Sequence, residues 1–187
     1  FFIAVFASFF LSTSAYAIRA AIVKHYFKYL STPKTKPICL GNICEQAVVF
    51  EKKLKYLDSK KYLFFENTSY KAKKRILGEI DLMIFDQDKK QVIEVIEVKC
   101  SKNLLAAKVI SEQQIERFKD HLGLNNKLPQ EKIHFAPHHP QLKVESFTKE
   151  TKFVQITYKS TTAESLGFES LFLDQEELNF LANLWNF

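Results

Sequence analysis

Two apolar runs joined by a polar turn, each carrying a charged pair at the same end, constrain this chain more than any other feature. Residues 77–101 read LGEIDLMIFDQDKKQVIEVIEVKCS. Ile80, Leu82 and Ile84 alternate with Asp81 and Met83, and a second apolar run fills 92–98, so the stretch predicts two β-strands around Asp86-Gln87-Asp88-Lys89-Lys90. Side chains two apart on a strand share a face. Glu79 and Asp81 therefore project together on one strand, and Glu97 and Lys99 on the other. If the strands are antiparallel neighbours, Asp81 lies close to Glu97 and Lys99 at one sheet edge. Ile93, Val95, Glu97 and Lys99 are expected on one face, which begins apolar and ends in charge, as a cleft at the strand end would.

Three carboxylates and a lysine in one place repel unless a positive group sits among them. Asp and Glu oxygens are hard ligands that suit Mg²⁺, which usually holds only one or two protein carboxylates. A lysine beside the ligands can contact a phosphate and position an attacking water. That combination suits phosphodiester hydrolysis. The competing explanation is structural: an E-x-K pair on a strand face is also an ordinary ion pair at a sheet edge.

Gly78-Glu79-Ile80-Asp81 followed by Ile96-Glu97-Val98-Lys99 resembles the PD-(D/E)XK nuclease superfamily, in the G-E-I-D…E-V-K form of its resolvase-like and restriction-endonuclease-like members. The resemblance covers roughly residues 41–122. It implies that Asp81, Glu97 and Lys99 take the aspartate, glutamate and lysine positions, and that the Val98 carbonyl joins the metal ligands. It also gives Glu45, on a helix before the sheet, and Glu79 places beside the metal. Gln114 and Phe118 resemble the Q-x-x-x-Y element of some members, with Phe in place of Tyr, which gives Gln114 a part in orienting Lys99 or a phosphate. The proline of the family name is absent. The implied cofactor is Mg²⁺ or Mn²⁺ and the implied partner is nucleic acid, foremost DNA, cut to leave a 5′-phosphate.

The five basic residues of 1–37, Arg19, Lys24, Lys28, Lys34 and Lys36, account for all but one unit of the net charge of +6. The remainder is no generic polycation. A local basic cluster, Lys71, Lys73, Lys74 and Arg75, precedes the Gly78 strand and is placed to meet backbone phosphates, or to be a solvated loop. A hydrophobic content of 47% with 18 Phe supports a buried core. Cys39, Cys44 and Cys100 have no zinc spacing, and their odd number leaves at least one thiol unpaired, which leans towards a reducing compartment.

Residues 1–18 carry no charge, and the one Met is Met83. Three readings are open for 1–30. It is a membrane anchor whose C-terminal side is held in the cytoplasm by the basic residues that follow, or a signal remnant with a cleavage site at Ala15-Tyr16-Ala17. The third reading is an amphipathic helix with Ile18, Ala21, Ile22, Tyr26, Tyr29 and Leu30 packed on the domain. Residues 31–37, with two prolines, read as a linker.

The domain then spans 38–187. A helix is expected from Leu40 to about Leu57, with Ile43, Ala47, Val48, Phe50, Leu54 and Leu57 on its apolar side. A short strand at 62–66 precedes an Asn67-Thr68-Ser69 turn. A helix over 104–122 buries Ile115, Phe118 and Leu122, with Gln113 and Arg117 on an adjoining face. Closing strands fall at 132–136 and 153–158, with His138 and His139 in a surface loop between prolines. A last helix starts at Asp174 and buries Leu178, Leu181, Ala182 and Trp185. The expected architecture is an α/β domain, a central mixed β-sheet flanked by helices, of restriction-endonuclease-like form, with a homodimer open. The function this implies is metal-dependent endonuclease; a silent binding module of the same fold and a membrane-attached scaffold are the alternatives.

Overall fold

The structure is a computed structural model that describes residues 19–30, 39–125, 132–135 and 139–185. A helix over 19–30 (α1) is followed by α2 (Leu40–Lys55), β1 (Tyr62–Ala72), β2 (Arg75–Asp86), β3 (Gln91–Val98) and α3 (Leu104–Leu122). Then come β4 (Ile133–Phe135), β5 (Lys152–Lys159), α4 (Thr161–Ser165), β6 (Glu169–Asp174) and α5 (Gln175–Trp185). The six strands form one sheet in the order β4-β1-β2-β3-β5-β6. Pairing is antiparallel from β4 to β3 and parallel from β3 through β6, so the fold is α/β with a mixed sheet. Parallel neighbours need a crossover, and α3 and α4 supply the two connections.

Both faces of the sheet are buried. On one, Leu82, Ile84, Ile96 and Val98 pack with Ile43, Ala47 and Val48 of α2 and with Leu178 and Leu181 of α5. On the other, Met83, Phe85, Val92 and Val95 pack with Phe118 and Leu122 of α3. Strand alternation puts successive residues of β2 in opposite cores. That alternation explains why a run as apolar as LMIF makes one interior strand.

The alternation changes phase at the candidate site. Ile80 packs with Met83 in the second core although Leu82, two residues on, packs in the first. The change falls at Asp81, and across from it β1 carries Asn67 in the left-handed region at φ 47°. Asn tolerates this conformation better than most residues. The expected turn at 67–69 is therefore a kink inside a strand that continues to Ala72. A register shift in the β2–β3 pairing, between Ile84 and Phe85, sends Ile93 to the first core while Val95 faces the second. Ile93 is thus not on the face of Val95, Glu97 and Lys99, contrary to the sequence expectation.

Other expectations hold with adjustments. Helix α2 stops at Lys55, short of Leu57, which is 78% exposed, and Leu54 in its last turn is 54% exposed rather than on the apolar side. Helix α3 has the expected bounds, with the Asn103 side chain accepting from the Ala106 amide and Gly123 closing it at φ 74°. Strand β5 is interior rather than closing, because β6, which carries no strong sequence signal, lies outside it. In α1, Tyr26 and Leu30 are buried and Ile22 and Tyr29 pack beside them, while Ala21 is exposed. Tyr26 and Tyr29 lie 4.8 and 4.7 Å from Phe50, and Tyr26 donates to the Glu51 carboxylate. The packed-helix reading thus describes 19–30. Residues 1–18, the 31–37 linker and His138 lie outside the described residues, as does the Trp185 side chain. Among the described residues no helix is long and apolar enough to cross a membrane. His139 is half-buried with its ring 4.8 Å from Phe65, rather than loose on the surface.

Candidate active site

Register alone brings the motif residues together. Leu82 faces Ile96 across the β2–β3 ladder. The next residues outward are Asp81 and Glu97. The Val98 amide donates to Asp81 Oδ2 at 2.6 Å, which fixes the aspartate against the end of β3. The Lys99 amide donates to the Ile156 carbonyl at 3.0 Å, so β5 holds the lysine backbone in place. Beyond it, the Tyr158 hydroxyl donates to the Ser101 carbonyl at 3.1 Å.

The side chains form a compact charged group. Lys99 Nζ donates to Glu97 Oε1, lies 3.9 Å from Asp81 Oδ2, and donates to the Val98 carbonyl at 3.3 Å. The Glu97 side chain is 1% exposed, Asp81 14% and Lys99 25%, so the lysine is the outermost of the three. Glu97 Oε2 is buried, and among the described residues no donor reaches it. Such an oxygen is costly to leave bare.

Electrostatics mark which residues share the site. Burial, then the Asp81 charge, push the Glu97 carboxyl up to about 7, against the pull of Lys99. Burial raises Asp81, with Lys99 and the Val98 amide opposing and Glu79 adding. Burial also raises Glu45, followed by Asp81, with Lys99 and Asn42 opposing. Helix α2 therefore carries Glu45 within electrostatic reach of the group. Glu79 is exposed at its rim, accepting from Ser69 at 3.2 Å.

Gln114 sits half-buried on α3 with its Oε1 buried and unpartnered. Tyr70 is near as well. Burial raises its phenol, Arg117 opposes and Glu97 adds. A Cβ on Gly78 would fall 2.5 Å from the Tyr70 hydroxyl, so the glycine of G-E-I-D leaves room for that ring. Sequence reasoning misses Tyr70 as a site neighbour, because nothing in its own strand carries a motif. Lys71, Lys73, Lys74 and Arg75 surround the exposed β1–β2 hairpin end.

The donor set suits a small divalent cation: hard carboxylate oxygens from Asp81 and Glu97, one of them buried and unsatisfied, next to a main-chain carbonyl. Among the described residues no three His, Cys, Asp or Glu side chains are arranged to hold an ion by themselves. Two carboxylates, the Val98 carbonyl and water are the ligands on offer.

A second charged group lies towards the other end of β3. Buried Lys52 donates to Glu94 at 2.7 Å, and Glu94 also accepts from Tyr56 at 2.8 Å and Lys55 at 3.2 Å. These bonds hold Glu94 below its ordinary range despite burial. No sequence signal marks it, since Glu94 reads as one more polar position in an apolar strand.

The chain matches no family model, no curated protein and no solved structure.

Proposed function

We propose that the chain is a divalent-metal-dependent nuclease of the PD-(D/E)XK type, with restriction-endonuclease-like architecture, that hydrolyses nucleic-acid phosphodiesters, foremost in DNA. One observation carries the reading: Asp81, Glu97 and Lys99 meet at the end of two paired strands with a carboxylate oxygen of Glu97 buried and unsatisfied. A bare buried carboxylate oxygen is costly, and a bound cation would satisfy it.

Asp81, Glu97 and the Val98 carbonyl would hold the ion, with Glu45 and Glu79 flanking. Bound Mg²⁺ or Mn²⁺ supplies Lewis-acid polarisation of the phosphoryl oxygen. Lys99, the most exposed of the three, directs its N–H donors at the phosphate and the attacking water and steadies the negative charge that grows on the phosphoryl oxygens. Gln114 stands on the neighbouring helix to orient Lys99 or a phosphate. Lys71, Lys73, Lys74 and Arg75 neutralise the substrate backbone away from the cut. A 5′-phosphate product rests on family analogy alone.

The test is incubation of the full chain with supercoiled plasmid, branched DNA and RNA in Mg²⁺, Mn²⁺ and EDTA. Cleavage of nucleic acid that requires the metal and is lost in Asp81→Asn supports the reading. Binding without cleavage under every condition replaces it with a silent binding module.

A further inference from the structure

Cys44 and Cys100 form a disulfide with a Cα–Cα distance of 6.2 Å across 56 residues of chain. Its position is informative. Cys44 immediately precedes Glu45 on α2, and Cys100 immediately follows Lys99 at the end of β3. Among the described residues it is the one covalent cross-link, and it joins the two elements that bring Glu45 and Lys99 together. The start of α2 is packed into the core through Ile43 and Ala47, but it lacks the usual capping bonds. Its N-cap, Cys39, makes no side-chain cap bond, and the first turn carries no acid to favour the helix dipole. Glu45 must also stay near Asp81 and Glu79, two like charges.

We propose that the Cys44–Cys100 disulfide is a redox-dependent clamp that positions Glu45 against Asp81 and Lys99, so that the candidate site is assembled in the oxidised chain and loosened in the reduced one. The inference rests on the nuclease reading of that site. Opening the clamp takes a dithiol reductant: its two thiols pass two electrons and two protons to the S–S bond, leaving Cys44 and Cys100 as thiols and the reductant as a disulfide. A small disulfide oxidant reverses the exchange. Attack is expected at Cys100, which is partly exposed, whereas Cys44 is 0% exposed. The clamp is closed where structural disulfides persist, in oxidising compartments.

The experiment uses the full chain before and after dithiothreitol, with thiol titration to confirm the state: one free thiol, Cys39, when oxidised and all three cysteines when reduced. Plasmid cleavage and hydrogen exchange over 41–47 are then measured. Reduction is expected to lower kcat about tenfold or more, the usual cost of losing a positioning partner, with KM little changed and exchange over 41–47 faster. Reoxidation restores both. Cys44→Ala/Cys100→Ala should sit at the reduced level and ignore the reductant, and Glu45→Gln in the oxidised chain should show a similar kcat loss. Equal kcat and equal exchange in both states overturn the clamp. Global unfolding on reduction, seen by circular dichroism, also overturns it in favour of a plain structural staple. If the oxidised chain cleaves nothing, the nuclease reading fails by itself. Exchange over 41–47 then decides the clamp: faster on reduction supports it, and unchanged sinks it.

Discussion

Asp81 accepts a 2.6 Å hydrogen bond from the main-chain amide of Val98, tying the kinked position of β2 to the last residue of β3. The bond uses Oδ2 and leaves Oδ1 for another partner. It also fixes Asp81 beside Glu97, whose Oε2 has no donor among the described residues.

A divalent ion should therefore stabilise the fold by mass action. At a hundredfold excess over Kd the gain is about 2.7 kcal/mol, read as a rise in Tm with Mg²⁺ or Mn²⁺ over EDTA. Asp81→Asn should abolish most of that rise. A mutant that responds like wild type would place the ion elsewhere.

Without metal, stability should fall as pH rises. Glu97 titrates near 7 in the folded chain against an ordinary 4.5, so the folded state binds the proton more tightly than the unfolded one. Its contribution is full below about 4.5 and is lost as pH climbs through 7. Asp81 and Glu45 shift the same way. Urea midpoints in EDTA should drop between pH 5 and pH 8, and Glu97→Gln should flatten the slope. A midpoint that rises over this range contradicts the assignment.

Much of this site is legible in the sequence. Alternation in 77–85 and the polar turn at 86–90 give two antiparallel strands, and antiparallel register then puts Asp81 next to Glu97. Glu45 is reachable only through family resemblance, since a helix that precedes a sheet can lie anywhere on it. The phase change at Asp81 is not legible. Opposite it on the neighbouring strand Asn67 has a left-handed backbone, a feature that the pattern of β2 does not report. The disulfide is equally hidden, because C-x₄-C spacing and a distant third Cys carry no pairing information. Strand β6 and the Lys52–Glu94 pair depend on tertiary packing, which local patterning does not report.

The Lys52–Glu94 pair gives a stability prediction unconnected with the candidate site. Glu94→Ala strips buried Lys52 of its close partner, leaving among the described residues Glu169 at 3.5 Å. Breaking such a pair costs about 3–5 kcal/mol, measured as a lowered urea midpoint. A loss below about 1 kcal/mol, the size of an exposed pair, would mean that water or Glu169 replaces the interaction.

The most direct test of the central claim compares cleavage with binding in Lys99→Ala. Removing the ammonium leaves Asp81 and Glu97 to hold metal, while Val95 and Val98 keep β3 packed in both cores. Loss of one preorganised electrostatic contact at the attacked phosphate should lower the cleavage rate by about 10²–10³. DNA affinity should fall far less, because Lys71, Lys73, Lys74 and Arg75 still meet backbone phosphates. At one fixed salt concentration, a large loss of rate with near-constant Kd is the predicted result. A variant that cleaves at the wild-type rate, or loses rate only in proportion to affinity, would contradict the assignment of Lys99 to the chemistry.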